Sequence, residues 1–337
     1  MGATPLLRPL DRDQRLDQYK GLLISLVVLG HVIETLRFPA STLALYLAIY
    51  VVHMPAFLLV AGALTKPRRF LDELVQTTRR LAPPYLFGVI GAALVALLVS
   101  GSLSLSLLPP PWTLWFLLTL ATLRLLTALI GVSNRALVLV LLLAAGASLI
   151  TLPAELSLGR SGALAIFFLI GARLGRERLL SLVERIGAWR GAFLTGTGLA
   201  LAGATLLLAD LPRSTLFWRE AIERAPSRPL DALVVSLLLH LAALAVSLGL
   251  FALTIRLPHS RLFSYCGRES LTIYLGHALL LSGLRPTLRT LDLQGGAAIL
   301  VVALLTVIST AIPPIVRRLI EGAEHPHRLL VRPPVTH

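Results

Sequence analysis

The sequence predicts an all-α polytopic integral membrane protein of about ten transmembrane helices, with both termini cytoplasmic. Three observations carry this. Of its 337 residues 56% are hydrophobic and 14% charged, whereas a soluble domain carries roughly 25% charged residues. Apolar runs of about 20 residues recur along the whole chain, long enough to cross a hydrocarbon core as helices. The 31 Lys and Arg, which leave a net charge of +14, cluster between those runs and not on one basic face, so nucleic acid is not an expected partner. A lone cysteine, Cys266, gives neither a disulfide framework nor a Cys-rich metal site.

Residues 1–19 are polar, of mixed charge, and read as a cytoplasmic N-terminal segment. The first apolar run, 20–36, contains His31 and Glu34 and ends without a small-residue cleavage site, so it is expected to be a retained span and not a signal peptide. The second, 43–64, holds Pro55. Residues 66–82 carry Phe70, Leu71, Leu74 and Val75 among Arg residues and read as an amphipathic helix on the cytoplasmic surface. Spans are then expected at 84–100, 112–131, 136–152, 161–175, 190–209, 231–255, 269–284 and 295–316, completing one domain over 20–316, with a cytoplasmic tail at 317–337. Between the seventh and eighth, Leu216-Phe217-Trp218 sits beside Arg219, Glu220, Glu223 and Arg224, the pattern of a short amphipathic helix on the outer surface. Counted by alternate connections, 22 Lys and Arg share the side of the N-terminus and 8 the other, with Arg124 left inside the fourth span. That asymmetry orients both termini to the cytoplasm and points to a multi-pass protein of the cell's inner membrane.

A titratable side chain at membrane depth costs roughly 2.5–3.5 kcal/mol by insertion scales, so each one needs a reason. Lys20 and His31 are eleven residues apart, about three full helical turns plus roughly 20°, with a rise of about 16 Å. Both therefore lie on one stripe, Lys20 at the cytoplasmic mouth and His31 about half-way across; Asp17 and Glu34 fall within roughly 60° of it. The set is expected to face a cavity between spans, although an anchoring Lys and a His hydrogen-bonded to a neighbouring helix also fit. His53 precedes Pro55, which frees carbonyls that could satisfy it; a structural and a functional His53 are both open. So are both readings of His277, in the ninth span with Tyr274. His240 stands alone and reads as structural.

The chain has no G-x-S-x-G elbow, H-E-x-x-H, Walker or Rossmann pattern. What remains is a buried His near a carboxylate, without a Ser or Cys nucleophile beside it, which suits general-base removal of a proton from an acceptor hydroxyl. Residues 15–64, from Arg-Leu-Asp-x-x-Lys through Gly30-His31 to Tyr50-Val-Val-His53-Met-Pro-Ala-Phe, resemble the acyltransferase-3 family of multi-span membrane O-acyltransferases, in particular its fucose 4-O-acetylase-like branch. Arg79-Arg80-Leu-Ala-Pro-Pro-Tyr, Leu114-Trp115-Phe116-Leu117 and Arg268-Glu269-Ser270 through Tyr274 to His277 agree. The resemblance implies transfer of an acyl group, commonly acetyl, from cytoplasmic acyl-CoA to a hydroxyl of a cell-surface sugar, without a metal. It matches Lys20 and His31 to the family's basic-residue-x10-His motif, with His31 as the catalytic candidate. Of the family's Arg-x-x-Arg signature only the second Arg stands, since Thr77 is three before Arg80. Lys20, Arg79 and Arg80 are then expected at the phosphates of coenzyme A, Asp17 and Glu34 beside the protonated His31, and His53, Trp115, Tyr274 and His277 toward the acceptor. The rival is a multi-span transporter or flippase of a sugar or lipid-linked intermediate.

Overall fold

The first helix is set by its cap. Asp13 accepts a hydrogen bond from the backbone N–H of Arg15 at 2.9 Å, satisfying one of the donors a helix N-terminus leaves open, and α1 runs Gln14–Thr35. Its start is six residues earlier than the apolar pattern suggested, because cap chemistry and not hydropathy fixes a helix end. The Arg15 side-chain hydrogen bond also holds the Asp13 carboxyl below the usual carboxylate range. The computed structural model describes residues 13–36, 42–150, 152, 156–218, 229–290 and 295–324; the expected features at 219–228, Arg219 to Arg224 among them, lie outside these.

Helices α2 (Leu43–Ala63), α3 (Phe70–Ser100), α4 (Trp115–Ile130) and α5 (Asn134–Leu149) follow, then α6 (Leu158–Leu208), α7 (Pro229–Thr254), the short α8 (Arg261–Arg268), α9 (Ser270–Thr290) and α10 (Gly295–Glu324). Among the described residues there is no strand. Six helices are long and apolar enough to cross a membrane, and α4 and α5 are shorter apolar helices. In the most apolar stretch of α1 and of α2, 67% of residues are buried, against 22% in α3 and 28% in α10. The first two helices are thus the centre, and the others turn one face outward. Close crossings hold the centre together: a Cβ on Gly21 of α1 would stand 1.8 Å from the Phe263 carbonyl oxygen, and one on Gly267 of α8 1.8 Å from that of Asp17. Gly62 of α2 and Gly171 of α6 meet each other's helix backbones in the same way, each with a carbonyl oxygen 2.0 Å from the position a Cβ would take. Small residues are what let helix backbones approach this far.

Two expectations are corrected. The surface helix at 66–82 and the span at 84–100 are one continuous α3, with Pro83 and Pro84 inside it. Its outward face carries Phe70, Leu71, Leu74 and Val75, while Glu73 and Thr77 are buried against the protein. The reason is Arg124 of α4, whose Nε donates to Glu73 Oε1 at 2.6 Å. Similarly, Leu216 and Trp218 do not lie on a surface: a 3-10 helix, Arg213–Phe217, buries both residues.

The spans expected at 161–175 and 190–209 fall within α6, which is broken at Gly175 (φ 69°) and Gly187 (φ 78°). Glycine adopts these left-handed angles without steric cost. The segment between the breaks meets the start of α1, where Arg15 pairs with Glu184, and the end of α7, where Arg256 donates to the Glu184 carbonyl at 2.8 Å.

Candidate functional site

α1 displays Lys20, Ile24, Val27, His31 and Glu34 along one face, and two chambers open against that face. The first, about 240 Å³, is lined by Lys20, Ile24 and Val27, by Met54, Phe57, Val60 and Ala61 of α2, and by Leu81, Leu117, Leu120 and Leu271. Apart from Lys20, its polar lining is Ser270 and Tyr274. The second, about 380 Å³, is lined by His31, Glu34, Tyr50, His53, Thr113 and Arg160, with Trp112, Trp115, Phe217 and Trp218 as aromatic walls. Val27, Met54, Phe116 and Tyr274 line both chambers. An apolar chamber headed by Lys20 therefore adjoins a polar one containing His31 through a collar of four side chains. The stripe computed from the helical repeat is present, but it faces two adjoining spaces and not one.

Most polar groups in the second chamber have a traceable support. The His31 Nδ1 lies 2.9 Å from Nε2 of His277, and the Trp112 ring packs 5.1 Å from the imidazole. Glu34 accepts from the Tyr50 hydroxyl at 2.8 Å and stands 3.7 Å from Arg285. Arg285 in turn lies over the Trp112 ring at 4.8 Å. Arg160 lies over Trp115 at 4.4 Å and donates to the Phe217 carbonyl at 3.3 Å. His53 Nδ1 donates to the Ile49 carbonyl at 2.7 Å, one turn back in α2, so its Nε2 is left as an acceptor. That carbonyl is not among those Pro55 frees. Tyr274 donates to the Thr113 carbonyl. Trp112 and Trp218 have φ of 22° and 56°, backbone angles that a bulky residue adopts only under constraint. Such strain clusters where function fixes a side chain, and both Trp line this chamber. The Trp218 Nε1 and Thr113 Oγ1 are buried with no hydrogen-bond partner among the described residues.

The expected site residues divide accordingly. His31, Glu34, His53, Trp115 and Tyr274 share the polar chamber. Lys20 heads the apolar one. Asp17 is not beside His31: it is buried and pairs with Lys20 at 3.3 Å, fourteen residues or about 21 Å along the helix from His31. His277 is fully buried, stands behind His31, and does not line the chamber, so its expected place on the acceptor wall is corrected. Arg79 and Arg80 are exposed on α3 and reach neither chamber, though the next residue, Leu81, lines the apolar one. His240 joins helices, its Nε2 2.7 Å from the Ala163 carbonyl, and its ring backs Trp218 at 4.8 Å. Burial lifts the Cys266 thiol above its ordinary value, which keeps it protonated and a poor nucleophile. Among the described residues no group of three or more His, Cys, Asp and Glu could hold a metal ion.

Sequence reasoning missed Tyr50, Trp112, Arg160 and Arg285. Tyr50 was within reach, since it precedes His53 by one helical turn. Arg160 and Arg285 count in the sequence only among the eight outer-side cations, and nothing in their spacing separates a loop cation from a chamber wall, as Arg160 is, or from a partner of Glu34, as Arg285 is.

A family model described as an acyltransferase domain (acyltransferase-3) matches residues 13–318. No curated protein and no solved structure matches the chain.

Proposed function

Because the chain belongs to the acyltransferase-3 family, we propose that it is a membrane O-acyltransferase that moves an acyl group, acetyl in the simplest case, from cytoplasmic acyl-CoA to a hydroxyl of a cell-surface sugar, with His31 as general base. The observation that carries this reading is the pair of adjoining chambers on one face of α1, Lys20 heading one and His31 in the other. Coenzyme A phosphates dock at Lys20, which Asp17 holds in place, with Arg79 and Arg80 on the exposed face of α3; ammonium and guanidinium groups suit phosphate oxygens. The arm of the donor passes the collar, which brings the thioester carbonyl to His31. The acceptor occupies the aromatic-walled chamber, where Trp115 and Trp218 offer flat apolar faces and Glu34, His53 and Tyr274 offer hydrogen bonds.

His31 takes the proton of the acceptor hydroxyl as its oxygen attacks the thioester carbonyl. The new C–O bond forms, the C–S bond breaks, and the proton passes from His31 to the departing thiolate, giving an ester and free coenzyme A. The fucose 4-O-acetylase-like branch and a role in polysaccharide modification follow the same resemblance. So does a topology of about ten crossings with both termini in the cytoplasm. An unbroken α6 of 51 residues would be about 76 Å long, more than twice a hydrocarbon core of about 30 Å, and its two glycine breaks support two crossings joined by a surface segment. The family match does not favour a transporter or flippase.

Calorimetric binding of acetyl-CoA to the detergent-purified protein tests the reading. Binding is expected to weaken in Lys20→Ala and to persist in His31→Ala, while thiol release with a panel of pyranosides falls by about 10²–10⁴-fold in His31→Ala. A folded sample that binds no acyl-CoA overturns the proposal.

A further inference from the structure

We propose that His277 is a positioning residue for His31: it fixes which ring nitrogen of His31 is free to act as the base. The inference rests on the reading of His31 as general base and deepens it. The starting point is a backbone carbonyl, which can only accept. His277 Nδ1 lies 2.9 Å from the Ile273 carbonyl oxygen, so this nitrogen carries the proton of the ring. A neutral imidazole has one N–H, and the Nε2 of His277 is then an acceptor. His31 Nδ1, 2.9 Å from that acceptor, must donate to it. The one proton of neutral His31 is thereby committed to Nδ1, and its Nε2 holds a lone pair.

Ring geometry agrees. The two imidazoles lie within 7° of parallel with centroids 5.2 Å apart, close to the separation expected when an N–H and a lone pair meet in the common ring plane. Without His277 either tautomer of His31 is open, and the Nε2–H form has no lone pair on that nitrogen for an acceptor hydroxyl. His277 is fully buried and off the chamber wall, so it acts through His31 and not on substrate. When His31 gains a second proton at Nε2, its Nδ1–H bond to His277 becomes charge-assisted and strengthens. The chain thus uses a neutral imidazole tied to a backbone carbonyl where a Ser-His-Asp system uses a carboxylate to orient its His; the Glu34 carboxylate is held instead by Tyr50.

The test has two arms on the full-length detergent-solubilised protein. The first is 15N NMR of imidazole-labelled protein, with His31 assigned by His31→Gln. In wild type His31 is expected to show a protonated Nδ1 and an unprotonated Nε2; in His277→Leu the Nε2–H form appears. The second arm is kinetic: His277→Leu is expected to lower kcat by about 10²-fold with KM for acetyl-CoA unchanged within about twofold, since only a portion of the general-base contribution is at stake. His277→Gln, which keeps an acceptor for His31 and a donor for Ile273, is expected to restore most of kcat and guards against misfolding of the Leu variant. A wild-type His31 protonated at Nε2, or an unaltered kcat in His277→Leu, overturns the proposal. The NMR arm needs no turnover, so a protein without acyl-CoA activity but with the Nδ1–H tautomer would sink the acyltransferase reading and leave the His277 tie standing.

Discussion

Arg124 shows what a single residue demands in this fold. Hydropathy left it stranded inside a span, and Glu73 gave no sign of being its partner, since 51 positions separate them. The structure buries the Glu73 carboxylate almost completely, 1% exposed, between Arg124 and Arg68. Without Arg124 the buried carboxylate keeps only the longer contact to Arg68, at 3.4 Å, and the Thr77 hydroxyl; stripping a buried ion pair of one partner costs up to about 3–5 kcal/mol, whereas replacing both by apolar groups is often neutral. Arg124→Ala should therefore lower the melting temperature in detergent sharply, and Glu73→Leu/Arg124→Leu should recover most of the loss. An Arg124→Ala protein that melts like wild type would show that the pair does not hold α3 to α4. At the same scale, the stripe of Lys20 and His31 was legible because it depends only on the 3.6-residue repeat of one helix. The His31–His277 contact was not, because it spans 246 positions and no local periodicity links the two.

At the scale of elements, the glycines of α6 separate two physical roles. Gly175 holds a φ of 69° with open space around it, while Gly171 has no room for a Cβ against Leu59 of α2. Gly175→Ala should cost about 1–2 kcal/mol, the strain of a left-handed angle in an L-residue. Gly171→Ala must push the α2 and α6 backbones away from each other and should cost more, with loss of the monodisperse species on size exclusion. If both variants melt alike, the close α2–α6 crossing is wrong. Spans read from hydropathy agree with helices wherever a helix is a simple apolar run, as at 43–64 and 231–255. They fail at the start of α3, where the polar face turns inward to Arg124, and they hold at α6, whose breaks at Gly175 and Gly187 fall where hydropathy left the gap between two spans.

For the whole molecule, the two faces differ in what they gather. The segment between the breaks of α6 meets the starts and ends of other helices near Arg15 and Arg256; the opposite end carries Trp112, the 3-10 helix and the polar chamber. Labelling tests the orientation without a cysteine-free background, because Cys266 is 3% exposed and its thiol stays protonated. Wild type should take up little membrane-impermeant maleimide. Arg79→Cys should label only after the inner face is opened, and Ser214→Cys in intact cells; the reverse pattern would invert the topology. Composition, run length and Lys/Arg asymmetry, all additive along the chain, were enough for an all-helical membrane protein, and short motifs in the first two spans were enough for its family. Which polar residues share a chamber was decided by packing alone. Tyr50, Trp112 and Arg160 join His31 and Glu34 there from other segments, and side chains brought together by helix crossings leave no spacing in the sequence to read.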